Sequence, residues 1–215
     1  MKIAILTVLI FLPFSFVVSQ TLDKNFPSTD NTIAATLLSG DTLYIGGDFT
    51  YVYTPARGLA RFVNGSIKPD ATYPQLGGSD YIQAVEPDGV GGLYLAGYFD
   101  TYNGIALPNT TAVIHLLDDG KLDPAFGRVN DNNGYTISAL KRKGSRLYIG
   151  GTFTPANIPG GNYFAALDAL TGGLLPWIPD FPDGYVSKID ATDSLVFLGG
   201  SFANVGNIPN HCCPR

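Results

Sequence analysis

Histidine, glutamate and cysteine are scarce in this chain of 215 residues, and their scarcity narrows what the protein can do. Two histidines and a single glutamate, Glu86, leave few candidates for general bases or for the carboxylate pairs of glycosidases. The two cysteines, Cys212 and Cys213, are adjacent and almost terminal, which argues against a fold held by disulfides. With a net charge of −5 and no basic cluster, no nucleic-acid partner is expected.

The N-terminal segment is the one long apolar stretch. Lys2 is followed by a mainly apolar run, Ile3–Val18, that contains Pro13. The run is shorter than the roughly 20 residues that a membrane-spanning helix needs, which favours a secretory signal peptide over a membrane anchor. We therefore predict a signal peptide over residues 1–19, cleavage after Ser19, and a secreted or cell-surface protein with no membrane span once the signal is removed.

Glycine is abundant, at 26 residues, and much of it belongs to one repeated stretch. Thr42–Thr50 (TLYIGGDFT) returns as Gly92–Thr101, Arg146–Thr154 and Leu195–Ala203. A period near 50 residues indicates one structural unit used several times. The aromatic residue of the stretch recurs at intervals of 50, 54 and 49 residues, as Tyr44, Tyr94, Tyr148 and Phe197.

The repeated stretch is typical of a β-strand covered on both faces, because its alternating side chains are apolar on either side. Each repeat divides into an alternating first strand, a polar turn, the Gly-Gly strand, a third strand and a proline-containing edge piece. The hairpins are predicted to begin near residues 32, 81, 136 and 185. The third strands are expected at Leu59–Val63, Thr111–Leu116 and Phe164–Leu170, and the edge strands at Ile67–Asp70, Leu122–Phe126 and Leu175–Trp177.

These patterns predict an all-β protein: a β-propeller-type repeat array of four-stranded antiparallel blades. The repeat domain is placed at residues 20–206, and it opens with Leu22–Phe26, a copy of the edge piece Leu122–Phe126. After Phe202 the expected third strand does not follow, and residues 207–215 read as an atypical tail. We expect about three full blades plus a partial one, an incomplete or open propeller.

The repeats resemble the delta-sixty repeat of secreted and cell-surface propeller proteins. The resemblance lies in Leu117–Phe126 (LDDGKLDPAF), in Glu86–Gly89 (EPDG) and in the Gly-Gly-x-Phe strands, which also look like kelch repeats. It covers most of residues 22–206, departing where Ala96 replaces a glycine and where Ile67–Asp70 lacks the phenylalanine. The resemblance implies a non-enzymatic secreted or surface propeller, and it carries over no catalytic residue.

Metal and catalytic sites are weakly supported by the sequence. His115 stands alone in a predicted strand, and His211 beside two adjacent cysteines does not make a tetrahedral zinc site. The acidic turns, such as Asp118-Asp119, lack the closing glutamate of a calcium loop, so no metal or cofactor is predicted. The alternative function is an extracellular propeller enzyme, either a copper oxidase of the galactose-oxidase type or a glycosidase, which the scarcity of His and Glu disfavours.

Binding residues are expected where the repeats differ from one another. The residue between the glycines and the phenylalanine varies (Asp48, Tyr98, Thr152 and Ser201), and so do the loops that follow. We predict a scaffold that binds an extracellular protein or glycan through tyrosine-rich loops. The candidate binding residues are Asp48, Tyr51, Tyr53, Tyr98 and Tyr102, and the candidate N-glycosylation sites are Asn64 and Asn109.

Overall fold

The computed structural model describes residues 29–52, 54–55, 58–63, 66, 68–70, 72–74, 76, 80–127, 129–130, 136–153, 163–176, 182–205 and 208–209. Within these ranges all regular structure is β-strand, which confirms the all-β prediction. These ranges contain no helix with the length and apolar character to cross a membrane. The predicted signal peptide and the opening segment Leu22–Phe26 lie outside the described residues.

Sixteen strands are present in the described ranges. They are β1 Ile33–Ser39, β2 Thr42–Gly47, β3 Tyr51–Val52, β4 Thr54–Pro55, β5 Leu59–Val63, β6 Tyr81–Pro87, β7 Leu93–Tyr102, β8 Ile105–Leu116, β9 Val129–Asn130, β10 Thr136–Lys143, β11 Arg146–Thr152, β12 Phe164–Asp168, β13 Tyr185–Ala191, β14 Val196–Ser201, β15 Asn204–Val205 and β16 Ile208–Pro209.

Each repeat forms one antiparallel sheet that starts with the same hairpin. Sheet 1 contains β1, β2 and β5; sheet 2 contains β6 to β9; sheet 3 contains β10 to β12; and sheet 4 contains β13 and β14. The first strands of consecutive sheets pack against one another, β1 on β6, β6 on β10 and β10 on β13. We call these four the inner strands, and they bring the equivalent residues of the four repeats side by side.

The structure corrects the prediction of the edge strands. Among the described strands only sheet 2 has four, and its fourth is β9 rather than the Leu122–Phe126 segment. That segment makes a single bridge between Leu122 and Leu116, and in sheet 3 the equivalent bridge joins Leu167 to Leu174, just before the predicted edge piece. The Asp123 carboxylate then accepts the N–H of Ala125 and turns the chain, while Pro124 has no N–H to extend the ladder.

A β-bulge stands at the same place in every hairpin. In sheet 2 the register shifts between Ile82 and Ala84, so that Gln83 is unpaired opposite the Ala96-Gly97 step. The second glycine of each pair faces this bulge closely. A Cβ on Gly97 would stand 2.0 Å from the carbonyl oxygen of Tyr81, and the three equivalent glycines are equally tight. The Gly-Gly signature is therefore required by the bulge.

The first glycine of the pair has a different role, which is to let the next sheet approach. A Cβ on Gly46 would stand 2.7 Å from Cγ2 of Ile82, which belongs to the following repeat. The same relationship joins Gly150 to Cγ1 of Val186 at 2.7 Å. Sheets 2 and 4 thus each insert an aliphatic side chain of the inner strand against a glycine of the sheet before it.

Three of the core clusters lie between sheets, and a fourth, which contains Ile45 and Phe62, lies on the outward face of sheet 1. Tyr44 packs with residues of sheet 2, Tyr94 with residues of sheet 3, and Tyr148 with residues of sheet 4. Their exposed fractions are 6%, 3% and 5%. Burial of the aromatic residue of each of these Gly-Gly strands therefore depends on the repeat that follows it.

Candidate functional site

The four bulges meet in one cavity. Each contributes its unpaired residue, Ala34, Gln83, Ser138 or Ser187, to the same hollow between the inner strands. An extra residue in a strand redirects a side chain away from the two sheet faces, and bulges commonly serve this purpose near binding sites. The repeat therefore places one equivalent residue from every sheet in one place, and we call the hollow the inner-strand cavity.

The inner-strand cavity has two lobes that share the four bulge residues and Lys188. The deeper lobe has a volume of about 270 Å³ and takes three consecutive residues from each inner strand. The outer lobe has a volume of about 460 Å³ and opens towards the start of those strands. These sizes suit a small ligand or part of a larger one. The outer lobe is lined by Thr32, Ala34, Asp48, Tyr81, Ile82, Gln83, Ser138, Tyr185, Ser187 and Lys188.

The lining of the outer lobe is mainly polar. The Tyr185 hydroxyl donates to Ser138 Oγ at 2.9 Å, which links sheets 3 and 4 across the cavity. The Asp48 carboxylate accepts from Asn31 Nδ2 at 3.3 Å. Lys188, which stands where the other repeats have alanine, forms no ion pair with any described residue. Hydroxyl, amide, carboxylate and ammonium groups therefore surround one hollow.

Two of the four variable positions singled out in the sequence, Asp48 and Tyr98, lie in or next to the lining of the outer lobe. Asp48 lines it directly, and Tyr98 pairs across the hairpin with Tyr81, which also lines it. The rings of Tyr81 and Tyr98 stack with centroids 6.1 Å apart and planes 15° apart. A hydrogen bond with Asp100 raises the pKa of Tyr98, so this phenol stays a neutral donor and acceptor at ordinary pH.

The prediction that Tyr102 is a binding residue in a loop is wrong, because Tyr102 is not in a loop. It belongs to β7, which continues past the predicted loop, and only 1% of its surface is exposed. Its hydroxyl donates to the carbonyl oxygen of Gly120 at 2.6 Å, and burial raises its pKa. The long β7–β8 hairpin, closed at Asn103-Gly104, buries the ring where a surface loop was expected.

The remaining predicted residues are dispersed. Tyr51 is 54% exposed, as a contact residue should be, but it lies in β3 and does not line the inner-strand cavity. Tyr53 and Asn64 lie outside the described residues, as do His211 and both cysteines. Asn109 lies in strand β8, and its side chain is outside the described part.

A recurring aspartate was missed in the sequence. Asp80 accepts the backbone N–H groups of Asp100 and Thr101, 20 and 21 residues further along. Asp30 and Asp183 do the same for the residues 20 and 21 positions after them. Each carboxylate fixes the backbone just after the repeated phenylalanine, beside the cavity mouth. In each of these three repeats the aspartate stands the same number of residues before the aromatic residue of the Gly-Gly strand. This constant spacing is the signal that could have revealed it.

His115 has partners that the sequence did not reveal. Its Nδ1 lies 2.8 Å from Asp123 Oδ2 and its Nε2 lies 3.2 Å from Asp88 Oδ2. The ring is 8% exposed and stacks on Tyr94 with centroids 4.4 Å apart. Because both nitrogens already face carboxylates, neither is free to take a proton from a substrate. His115 therefore joins the turn of one hairpin to the edge piece of the same sheet.

Sheets 1 and 2 have a pair of interacting side chains at the same two positions of the repeat, but the residue that faces the aspartate differs. Asp70 accepts from Arg61 at 2.5 Å in sheet 1, where sheet 2 has Asp123 and His115. The aromatic residue three positions after each aspartate also matches, since Tyr73 lies against Arg61 as Phe126 lies against His115. The first repeat therefore does not lack the aromatic residue, and the sequence alignment was out of register by two positions.

No group of three or more metal-ligating side chains of the kind that could hold an ion is found among the residues that the structure describes. The side chains that line the inner-strand cavity carry hydrogen-bonding groups and aromatic rings. Asp48 is its one carboxylate, and it has no histidine or cysteine close by in that lining.

Comparisons with known proteins give a fold likeness. No protein-family model matches the chain, and a search of curated proteins finds no match. Among solved structures, the computationally designed Ika4 protein superposes with a TM-score of 0.55 at 14% sequence identity. The match covers 81% of this chain and 88% of that protein. The likeness concerns the arrangement of strands and says nothing about a ligand.

Proposed function

We propose that this chain is a secreted, non-enzymatic protein of β-propeller type that binds a glycan in its inner-strand cavity. The observation that carries the proposal is the convergence of four equivalent bulge residues on one polar hollow. The propeller interpretation is supported by the four similar sheets packed through their first strands, and by the resemblance to delta-sixty and kelch repeats. Secretion is inferred from the apolar N-terminal segment.

A glycan suits the chemistry of the cavity better than an apolar ligand does. The Gln83 amide and the Ser138 hydroxyl can donate and accept hydrogen bonds with sugar hydroxyls. The Thr32 and Ser187 hydroxyls already donate to Asn31 and to the carbonyl oxygen of Gly199, and they can accept such bonds. The stacked pair of Tyr81 and Tyr98 at the mouth gives an amphipathic aromatic surface, which can cover the apolar face of a sugar ring. The alternative ligand is a protein partner that contacts the exposed Tyr51.

A glycan array followed by titration calorimetry with the oligosaccharide that binds tests the proposal. We expect Gln83→Ala and Tyr98→Ala each to weaken the affinity at least tenfold, since each removes a direct contact. Ser194→Ala and Lys121→Ala, both on exposed turns away from the cavity, serve as controls and should bind as the parent does.

Binding that is retained in both cavity variants would reject the cavity as the site. Binding that is lost only with Tyr51→Ala would move the site to the β3–β4 loop and favour a protein partner. N-terminal sequencing of the chain recovered from culture medium tests secretion separately, with Gln20 expected as the first residue.

A further inference from the structure

Consecutive sheets in this protein are joined by one repeated contact. Ile82 of sheet 2 fills the recess at Gly46 of sheet 1, and Val186 of sheet 4 fills the recess at Gly150 of sheet 3. Ile137 of sheet 3 occupies the equivalent position and is 1% exposed. An aliphatic insert on the inner strand meets a glycine recess at the first and third junctions, and at the second junction Ala96 stands in place of the glycine.

The recess of the last sheet is not filled by any of the residues that the structure describes. A Cβ built on Gly199 would meet no atom nearer than 3.7 Å, and that atom is Cβ of Lys188 in the same sheet. Phe197, the counterpart of the buried tyrosines, is 53% exposed, and Leu195 is 56% exposed. This face of sheet 4 is equivalent to the faces that sheets 1, 2 and 3 bury against a neighbour.

The insert of the first sheet is free in turn. Ile33 is the counterpart of Ile82, Ile137 and Val186, which are at most 1% exposed, yet 40% of its surface is accessible. Leu38 on the same inner strand is 71% exposed. The protein thus exposes an insert on the inner strand β1 at one end of the array and a recess at the other, while Ile45, Ala60 and Phe62 of sheet 1 are already buried within the chain.

The charges of the two ends are complementary. Residues 29–50 of the first repeat contain three aspartates and no lysine or arginine. The open face of sheet 4 carries Lys188, which has no ion-pair partner in the described part of the chain, while Asp190 on the same strand is neutralised by Lys141 at 3.2 Å. The acidic first repeat of one copy can therefore face the Lys188 ammonium group of the other.

We propose that the open face of sheet 4 is an interface for a second copy of this chain, which docks through its sheet 1. Ile33 of each copy enters the recess at Gly199 of the other, and Phe197 and Leu195 become buried. Because the two ends of a chain differ, the contact is head to tail, and a two-fold pair satisfies both ends and closes the ring. Pairing also removes the exposed apolar face, which otherwise invites aggregation.

The mass of the purified chain in solution tests this, measured by sedimentation equilibrium or light scattering across a concentration series. We expect the parent to have twice the monomer mass. Ile33→Asp and Gly199→Tyr should each give the monomer mass at the same concentrations, because each blocks one half of the contact. Both positions are open in the single chain, so circular dichroism should show an unchanged fold. Leu170→Asp, at an exposed turn residue, is the control and should stay dimeric.

Cysteine pairing identifies which surfaces meet. In a background with Cys212→Ser and Cys213→Ser, mixing an Ile33→Cys chain with a Gly199→Cys chain should give a disulfide-linked heterodimer, while neither variant alone should give one efficiently. A parent that stays monomeric, or a dimer that persists in both blocking variants, would overturn the proposal. A disulfide formed inside the double-cysteine monomer would also overturn it, and would indicate that the ends close within one chain.

Discussion

The hydroxyl of Tyr94 donates a hydrogen bond to the carbonyl oxygen of Ala169 at 2.7 Å, joining the second strand of sheet 2 to a turn of sheet 3. Both groups are buried, so the bond is made away from water. We expect Tyr94→Phe to lower the free energy of unfolding by about 1–2 kcal/mol, because the carbonyl of Ala169 loses its partner. Urea titration followed by circular dichroism measures the change. Tyr51→Phe, at an exposed tyrosine, should leave the stability within about 0.5 kcal/mol of the parent.

Replacing a glycine by alanine at two different positions tests what the glycines of the repeated strand are needed for. Gly97→Ala places a Cβ 2.0 Å from a backbone oxygen, so the hairpin must move, and we expect a loss of about 3 kcal/mol or of soluble protein. Gly199→Ala meets no atom nearer than 3.7 Å within the chain, and in the monomeric Ile33→Asp background it should change the stability by less than about 0.5 kcal/mol. Similar losses in both variants would contradict the bulge as the reason for the Gly-Gly signature.

The stability of the first repeat should depend on pH through Asp70. A hydrogen bond from Thr72 and another from Arg61 lower the pKa of this carboxyl from 3.8 to about 2. A lowered folded-state pKa means that the contribution is complete above pH 4 and is lost as the pH falls towards 2. Because the pair is partly exposed, we expect Asp70→Asn to cost about 1 kcal/mol at pH 7 and almost nothing near pH 2.

Urea titrations of the parent and of Asp70→Asn at both pH values measure this difference. Asp119→Asn is the control, since its carboxylate pairs with Lys121 on an exposed turn and should matter less. A cost of Asp70→Asn that is the same at pH 2 and at pH 7 would contradict the assigned role of the carboxylate.

His115 and Asp123 should behave as a coupled pair. Hydrogen bonds from the Ala125 N–H and from His115 outweigh burial and lower the pKa of Asp123, so the buried carboxylate depends on its partner. We expect His115→Ala to cost about 3 kcal/mol, because it leaves that charge without a counterpart. The third repeat has Ala166 and Leu175 at the same two positions, and the double variant His115→Ala/Asp123→Leu copies them.

A double-mutant cycle from urea titrations measures the coupling between the two residues. The double variant should recover at least about 1 kcal/mol relative to His115→Ala. Additive losses would show that the two side chains act separately, and that Asp88 rather than Asp123 is the main partner of the ring.

Parts of the fold could be read from the sequence because they are local. The period near 50 residues, the polar turns and the Gly-Gly pairs fix where the hairpins lie, as with β1–β2 and β10–β11. The edge strands could not be assigned the same way, since an apolar residue beside a proline fits either a ladder or a single bridge. In the first repeat, aligning on Pro69 instead of Asp70 hid the match between Tyr73 and Phe126.

Only part of the candidate site could be predicted from the sequence, for the same reason. The variable positions after the glycines were recognised, and Asp48 and Tyr98 do lie at the cavity mouth. The bulge residues were not, because a bulge depends on how two strands pair and leaves little trace in the order of residues. Tyr102 could not be told from an exposed tyrosine until β8 was seen to cover it.

The sequence by itself determined that this is a β protein made of one unit used four times, since alternation, turns and spacing act within a few residues. Only the tertiary structure decided which copies are covered: Tyr94 is buried and Phe197 is open although both occupy the same place in the repeat. Burial is a property of what packs across a strand, and that neighbour lies about 50 residues away along the chain, or in another molecule.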